Sequence, residues 1–324
     1  MNYKQVQLQS QLAFLAKSSS FSNGARSGGG LYQGKSREFV LRKEYELENL
    51  FPAIRESISD YFQRHKIVWH DANAHVLSSQ VCCVNFFEPF ARAPDALRIL
   101  LEKVLGPIAQ MLEIEPDSDP GRYIAFEFIG ANDYLNEGKS GKRTRGANYT
   151  SADAAVRYKT TDGIIAIALI EWKYTESYGP PLALDTRNVE RLRRYQDISF
   201  HPKGPLRSDC GVNLVAFFTE PVYQLLRQQI LAFQITAARE LQSQFTRTVY
   251  ISPRANLALK RIHIDVLNRF GRDVTTAWSA LLHSPQHFIP YATEDLFADS
   301  LDSVKVATEL TDWRSYMADR YGFG

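Results

Sequence analysis

The stretch SADAAVRYK-TTDG-IIAIALIEWKY, residues 151–174, decides the fold. Two runs rich in aliphatic and β-branched residues flank a short turn signal closed by Gly163, the pattern of a β-hairpin. The second run, 164–174, is apolar on both alternating faces. That marks a central strand covered on both sides.

Working outward, RYIAFEFIG (122–130) is a further strand, joined to the hairpin by a polar, basic loop, NEGKSGKRTRGANYT (136–150). A helix is expected from Asp185 to about Ile198. VNLVAFFT (212–219) reads as a fourth strand, Pro221 opens a long helix to about Phe245, and RTVYIS (247–252) reads as a fifth strand. On the other side, PDSDPG (116–121) is a turn, and residues 75–112 look mostly helical with breaks near Pro89 and Pro94. Residues 43–65 carry Leu47, Leu50, Ile54, Ile58, Tyr61 and Phe62 at helical spacing. Residues 18–37, rich in Ser and Gly, read as a mobile loop after a short N-terminal helix. The order predicts an α/β (mixed α+β) fold: a central mixed sheet flanked by helices. It divides into a helical and loop appendage (1–65), a core (66–260) and a C-terminal appendage (261–324).

The 324 residues are 44% hydrophobic and 23% charged, which places the chain among ordinary globular proteins and excludes a disordered or fibrous one. No apolar run is long enough to cross a bilayer, and the N-terminus lacks the features of a secretory signal. Three cysteines, Cys82, Cys83 and Cys210, cannot make a disulfide framework, so a reduced, cytoplasmic setting is expected. The balance of 38 basic against 36 acidic residues gives no whole-chain signal for a polyanionic partner. The charge is segregated, however: the loop around 139–145 has Lys139, Lys142, Arg143 and Arg145 and no acid, residues 239–272 are net basic, and 291–324 are net acidic.

The chemistry concentrates at Asp153 and at Glu171-Trp172-Lys173. Strand side chains alternate, so Glu171 and Lys173 share a face at the end of an apolar strand, where unpaired charges are costly. The turn at 160–163 brings Asp153 toward Glu171. Two converging carboxylates form a hard oxygen site suited to Mg²⁺ (or Mn²⁺), which keeps several waters and binds substrate phosphate. Lys173 adds a fixed positive charge for a phosphate or an attacking hydroxide. The alternative is a salt-bridged strand end beside a turn aspartate.

Asp153 followed by Glu171-x-Lys173 at the end of an apolar strand resembles the PD-(D/E)XK nuclease superfamily, the restriction-endonuclease-like proteins. Ala152 stands where the family pattern has Pro. HVLSSQVCCVNFFEPF (75–90), EWKYTESYG (171–179) and EPVYQLLRQQILAFQ (220–234) are similar to a group of bacterial restriction-endonuclease-like proteins in that superfamily. The resemblance implies a metal-dependent phosphodiesterase acting on DNA. Asp153 and Glu171 would be metal ligands, Lys173 the catalytic lysine, and an upstream glutamate, Glu127 or else Glu88, would complete the shell. Glu176 would lie just outside it. A double-strand cutter is compatible with a homodimer, which no residue demonstrates. The competing reading of the same fold is an inactive nucleic-acid-binding or assembly module.

Two basic segments flank the proposed centre. One is the 139–145 loop. The other is the helix after the third strand, where Arg187, Arg191 and Arg194 fall at i, i+4 and i+7, with Gln196 beside them. Both are expected to contact phosphates. GGLYQGKS (29–36) satisfies G-x-x-x-x-G-K-(S/T), the P-loop pattern, but SSSFSNGARS before it cannot be the buried strand that a P-loop needs. His65, His70 and His75 with Asp71 invite a zinc reading. The five-residue spacing puts no two histidines on one helical face, and no cysteine completes the set.

Overall fold

The computed structural model describes residues 1–70, 73–138, 143–147, 149–179, 182–183 and 185–323. Lys139, Lys142 and Asp71 lie outside them.

The strands are Gly30–Tyr32 (β1), Lys35–Arg37 (β2), Ile108–Leu112 (β3), Ile124–Phe128 (β4), Ala152–Thr160 (β5), Ile165–Trp172 (β6), Phe245–Ser252 (β7) and Phe288–Ala292 (β8). β1 and β2 form a separate hairpin; the other six make one sheet. β5 and β6 pair antiparallel from Lys159 with Ile165 to Ala154 with Ile170. β3 and β4 share the other edge of β5, β3 along its C-terminal half and β4 along its N-terminal half. β6, β7 and β8 are mutually parallel, so the sheet is mixed as expected.

The helices are Tyr3–Lys17 (α1), Asn23–Arg26 (α2), Arg55–Arg64 (α3), Ser79–Phe87 (α4), Pro94–Leu105 (α5), Thr186–Ser199 (α6), Val222–Ala237 (α7), Val274–Leu281 (α8), Thr293–Val306 (α9) and Leu310–Tyr321 (α10). One sheet face (Phe126, Ala154, Val156, Ala168, Ile170, Trp172 and Ile251) packs with the N-terminal helices, α4, α5, α9 and α10. The opposite face (Ala125, Ala155, Ile167, Leu169 and Tyr250) packs with α6, α7 and α8. Trp172 and Leu169 are both buried, on opposite sides, which is why the 164–174 run has no polar face. Leu15, Ile58, Trp313 and Met317, from the stretches expected as appendages, belong to the same cluster as the sheet. The three cysteines are free and buried. Among the described residues no helix is long and apolar enough to cross a membrane.

Four expectations are corrected. Residues 212–219 form no strand: Leu214–Phe217 is a 3-10 turn, started where the Asn213 side chain accepts the Val215 N–H at 3.0 Å. The long helix from Pro221 stops at Ala237. Arg239, Leu241 and Gln242 then adopt positive φ, and Glu240 ties the turn to the Ala131 N–H and the Tyr134 hydroxyl. The 43–65 region is two 3-10 segments before α3. Residues 18–37, expected as a loop, hold α2 and the β1–β2 hairpin, with Lys35 in a strand. No buried strand leads into the glycines and no helix starts at the lysine, so the structure agrees with the sequence against a P-loop.

Candidate active site

The site forms where β4, β5 and β6 come apart. The ladder between β5 and β6 ends at Ala154 and Ile170, one residue short of Asp153 and Glu171. Beyond that point the Asp153 side chain takes over: its Oδ2 accepts the Trp172 N–H at 2.7 Å. On the other side, Glu127 sits within β4 with φ 48°, left-handed backbone that a glutamate seldom adopts. The twist sends Phe126 into one core cluster and Phe128 into the other. Ala154 and Ala152 switch in the same way, so the kink runs through both strands.

Glu171 and Lys173 are each about 5% exposed. The Lys173 ammonium donates to Glu171 Oε1 at 2.5 Å, and Gln228 Nε2 donates to Glu171 Oε2 at 2.8 Å. Burial works against the Lys173 charge, but Glu171, with Tyr178, Glu176 and Asp153 behind it, holds the ammonium well above its usual range. Asp153 moves the other way from an ordinary aspartate. Burial, then the charge of Glu171, pushes its carboxyl well above the usual carboxylate range, with Lys173 only partly offsetting them.

Glu127 is 1% exposed and enclosed by donors. Oε1 takes Gln80 Nε2 at 2.6 Å and lies 3.3 Å from His70 Nε2, and Oε2 takes the Ser151 hydroxyl at 2.7 Å. Burial opposes the charge, yet His70, Ser151 and Gln80 hold the carboxyl below its usual range. Conversely, burial alone would lower His70, and the bond to Glu127 raises it. Glu88 is elsewhere, in a buried ion pair with Arg122, whose guanidinium lies 3.6 Å from the centre of the Tyr61 ring. Glu176 Oε2 accepts the Tyr174 N–H at 2.7 Å, just past the end of β6.

Asp153 and Glu171 line one cleft of about 190 Å³, together with His70, Gln224, Arg227 and Gln228. Arg227 and Gln228 are not among the residues expected from the sequence, where His70 figures only beside His65 and His75 as a histidine set. A signal existed: Gln224, Arg227 and Gln228 fall at i, i+3 and i+4 in α7, a polar stripe on one helical face. Arg227 Nε donates to Thr150 Oγ1 at 2.8 Å.

The basic residues divide. Arg145 is engaged through every nitrogen, with Glu115, Tyr61 and the carbonyls of Phe126 and Glu127 as acceptors, and it holds the back of the kinked β4. Arg143 Nη2 donates to the carbonyls of Ile129 and Gly130. On α6, Arg187 and Gln196 are exposed, Arg191 lies 3.3 Å from Asn188 Oδ1, and Arg194 pairs with Glu190 at 3.6 Å.

Among the described residues no three His, Cys, Asp or Glu side chains gather into a group able to hold a metal ion. The donor set nevertheless fits a hard cation that retains its waters. Two carboxylates share the cleft wall, and only one Asp153 oxygen is used by Trp172. Gln228 donates through Nε2 to both the Ser151 carbonyl and Glu171, which orients its amide and leaves Oε1 buried without a partner. Oxygen donors of this kind, with one or two carboxylates, suit Mg²⁺.

The profile of the family described as Restriction Endonuclease associating with ARP matches residues 14–322. The chain belongs to this family. No curated protein and no solved structure gives a match. The six-stranded mixed sheet with helices on both faces is consistent with a restriction-endonuclease-like core, and the family ties the chain to nuclease-related function.

Proposed function

We propose that this restriction-endonuclease-family protein hydrolyses phosphodiester bonds of DNA with a divalent cation, Mg²⁺ or Mn²⁺, held by Asp153 and Glu171. The observation that carries the reading is the gap between β5 and β6, where the Asp153 carboxylate replaces a strand carbonyl beside Glu171 at the wall of an open cleft. A cation bound there polarises a phosphoryl oxygen and lowers the pKa of a bound water. Asp153 and Glu171 set its position, and Gln228 fixes the rotamer of Glu171 through the bond to Oε2. Lys173 keeps its proton and presents a fixed positive charge toward the reacting phosphate. Glu127 acts on His70, holding the imidazole at the cleft wall, rather than reaching the cleft itself. Arg227 inside the cleft, and Arg187, Arg191, Arg194 and Gln196 on α6, contact phosphates along the substrate.

The test is plasmid cleavage with and without Mg²⁺ or Mn²⁺. Metal-dependent nicking or linearisation by the wild type, lost in a Glu171→Ala, Lys173→Ala double variant, supports the reading. Equal activity in that variant would overturn it.

One observation favours a second reading, a nuclease-like module that binds nucleic acid without cutting. Both Glu171 oxygens already have donors, Lys173 and Gln228. Salt-dependent DNA binding without cleavage in either metal, across supercoiled, linear and single-stranded substrates, would establish it instead.

A further inference from the structure

The glycine-rich stretch that mimics a P-loop is a two-stranded ribbon without a role so far. Gln33 and Gly34 have φ 50° and 73°, so β1 and β2 are joined by a two-residue turn with both central residues in the left-handed region. Tyr32 pairs with Lys35 and Gly30 with Arg37. Residues opposite one another in an antiparallel pair project to the same side, so Tyr32, Lys35 and Arg37 share one face, with Leu31 and Ser36 on the other.

On that face Tyr32 and Gly30 meet the body of the protein, while Lys35 and Arg37 stay exposed. The Tyr32 ring meets the His75 ring edge-on at 5.3 Å between centroids. Gly30 packs so tightly that a Cβ there would lie 2.1 Å from the Leu41 carbonyl oxygen, which only glycine permits. Gly30 N–H donates to the Val40 carbonyl and Leu41 N–H to the Ala74 carbonyl, each at 2.9 Å, fastening the ribbon at its base.

Tyr32, Lys4, His75, Thr175 and Glu176 line a second cleft of about 190 Å³, and so does His70. His70 is also a wall of the carboxylate cleft, so the two clefts meet at one imidazole. Lys4, Lys35 and Arg37 are exposed. Glu38, the acid nearest in sequence, forms no ion pair with Lys35 or Arg37, and Glu176, the one acid among the described residues that line the second cleft, is engaged with the Tyr174 N–H.

We propose that the β1–β2 ribbon grips the sugar–phosphate backbone of DNA running out of the carboxylate cleft, with Lys4, Lys35 and Arg37 as phosphate contacts. The proposal rests on the nucleic-acid reading above and extends it to a surface outside the cleft. Three cations at one rim, continuous through His70 with a carboxylate-lined centre, place positive charge where substrate leaves and negative charge where it is cut. Both ribbon cations lie on β2, whose backbone is held by its pairing with β1, so little backbone freedom is lost when they meet phosphates.

The experiment measures binding of a fluorescently labelled DNA duplex in EDTA across a salt series, for the wild type, Lys35→Ala/Arg37→Ala and the distant control Lys103→Ala. Two lost phosphate contacts flatten the slope of log K against log salt by about 1.8. Affinity at moderate salt is expected to fall roughly tenfold. The melting temperature stays at the wild-type value, since neither side chain is buried. An unchanged slope and affinity in the double variant overturns the ribbon while leaving the nuclease reading intact. Loss of slope in a protein that never cleaves DNA keeps the ribbon and removes the nuclease reading. A wild type that binds no DNA removes both.

Discussion

Asp153 Oδ2 accepts the Trp172 N–H at 2.7 Å, so a carboxylate occupies the position of a strand carbonyl at the mouth of the sheet. That bond favours the ionised carboxylate, while burial and the neighbouring charge oppose it. The carboxyl is pushed upward by burial and by Glu171, which means that a charge is held where the protein alone does not favour one. A divalent cation held as proposed would relieve that repulsion.

Asp153→Asn keeps an oxygen for the Trp172 N–H and removes the charge. Cleavage is expected to fall by at least about a thousandfold, a loss on the order of 4 kcal/mol of transition-state stabilisation. The melting temperature without metal stays level or rises. Added Mg²⁺ stabilises the wild type by about 2.7 kcal/mol at a hundredfold excess over its Kd and leaves the variant unmoved. Thermal melts with and without Mg²⁺, beside cleavage assays, check both; an equal Mg²⁺ shift in the two proteins refutes the assignment.

Lys173→Met leaves Glu171 buried with its main partner gone. Breaking one side of a buried ion pair costs about 3–5 kcal/mol. Pairing the change with Glu171→Gln removes the stranded charge, so the double variant is expected to be more stable than the single one. Urea unfolding of the three proteins decides it, and simple additivity of the two losses would count against the buried pair.

Arg320 is fully buried and, among the described residues, bonds only to neutral acceptors: the Asn49 carbonyl, Gln11 Oε1 and the Tyr316 hydroxyl, with Asn49 Oδ1 at close contact. Gln11 Nε2 in turn donates to the Arg320 carbonyl at 2.8 Å, so this cluster latches α1 onto α10. Arg320→Lys loses the planar fork, at a cost of about 2–4 kcal/mol. Limited proteolysis should then cut first within α1. A variant as resistant as the wild type would show that the latch is dispensable.

His75 Nδ1 accepts the Leu77 N–H at 3.0 Å, which requires an unprotonated nitrogen. Burial, aided by Lys4, brings its pKa down to about 4. The folded value lies below the unfolded one, so the unfolded chain takes up the proton first as pH falls. Stability from this group is complete above the ordinary histidine range and is lost between about pH 6.5 and pH 4, by no more than about 3 kcal/mol. His75→Gln keeps an acceptor and cannot titrate. Chemical denaturation at pH 7, 5.5 and 4.5 should show the wild type losing stability faster than this variant; parallel losses would remove His75 from the acid response.

The parts of the fold legible in the sequence were those where one physical pattern acts alone. The β5–β6 hairpin was legible because β6 is apolar up to Glu171 and turn residues precede it. α6 was legible because Asp185 caps it, accepting the Asn188 N–H at 2.8 Å. β3 and β8 were not. β3 follows α5 after Gly106, and a register shift between Ile108 and Gln110 breaks its alternation. β8 contains Pro290, which reads as a strand breaker; it is tolerated because β8 pairs only with β7, at the sheet edge.

The sequence by itself determined the mixed sheet, the trio Asp153, Glu171 and Lys173, and their place at strand ends, because side-chain alternation and turn chemistry are local. Only the tertiary structure decided what surrounds them. Gln228 and Arg227 reach the cleft from a helix far downstream of Glu171, and His70 reaches it from a segment far upstream of Asp153. It also decided that Glu127 turns toward His70 and that Arg145 braces the sheet. These assignments depend on a kink at Glu127 and on which charges meet inside the protein, and neither is written in the spacing of residues along the chain.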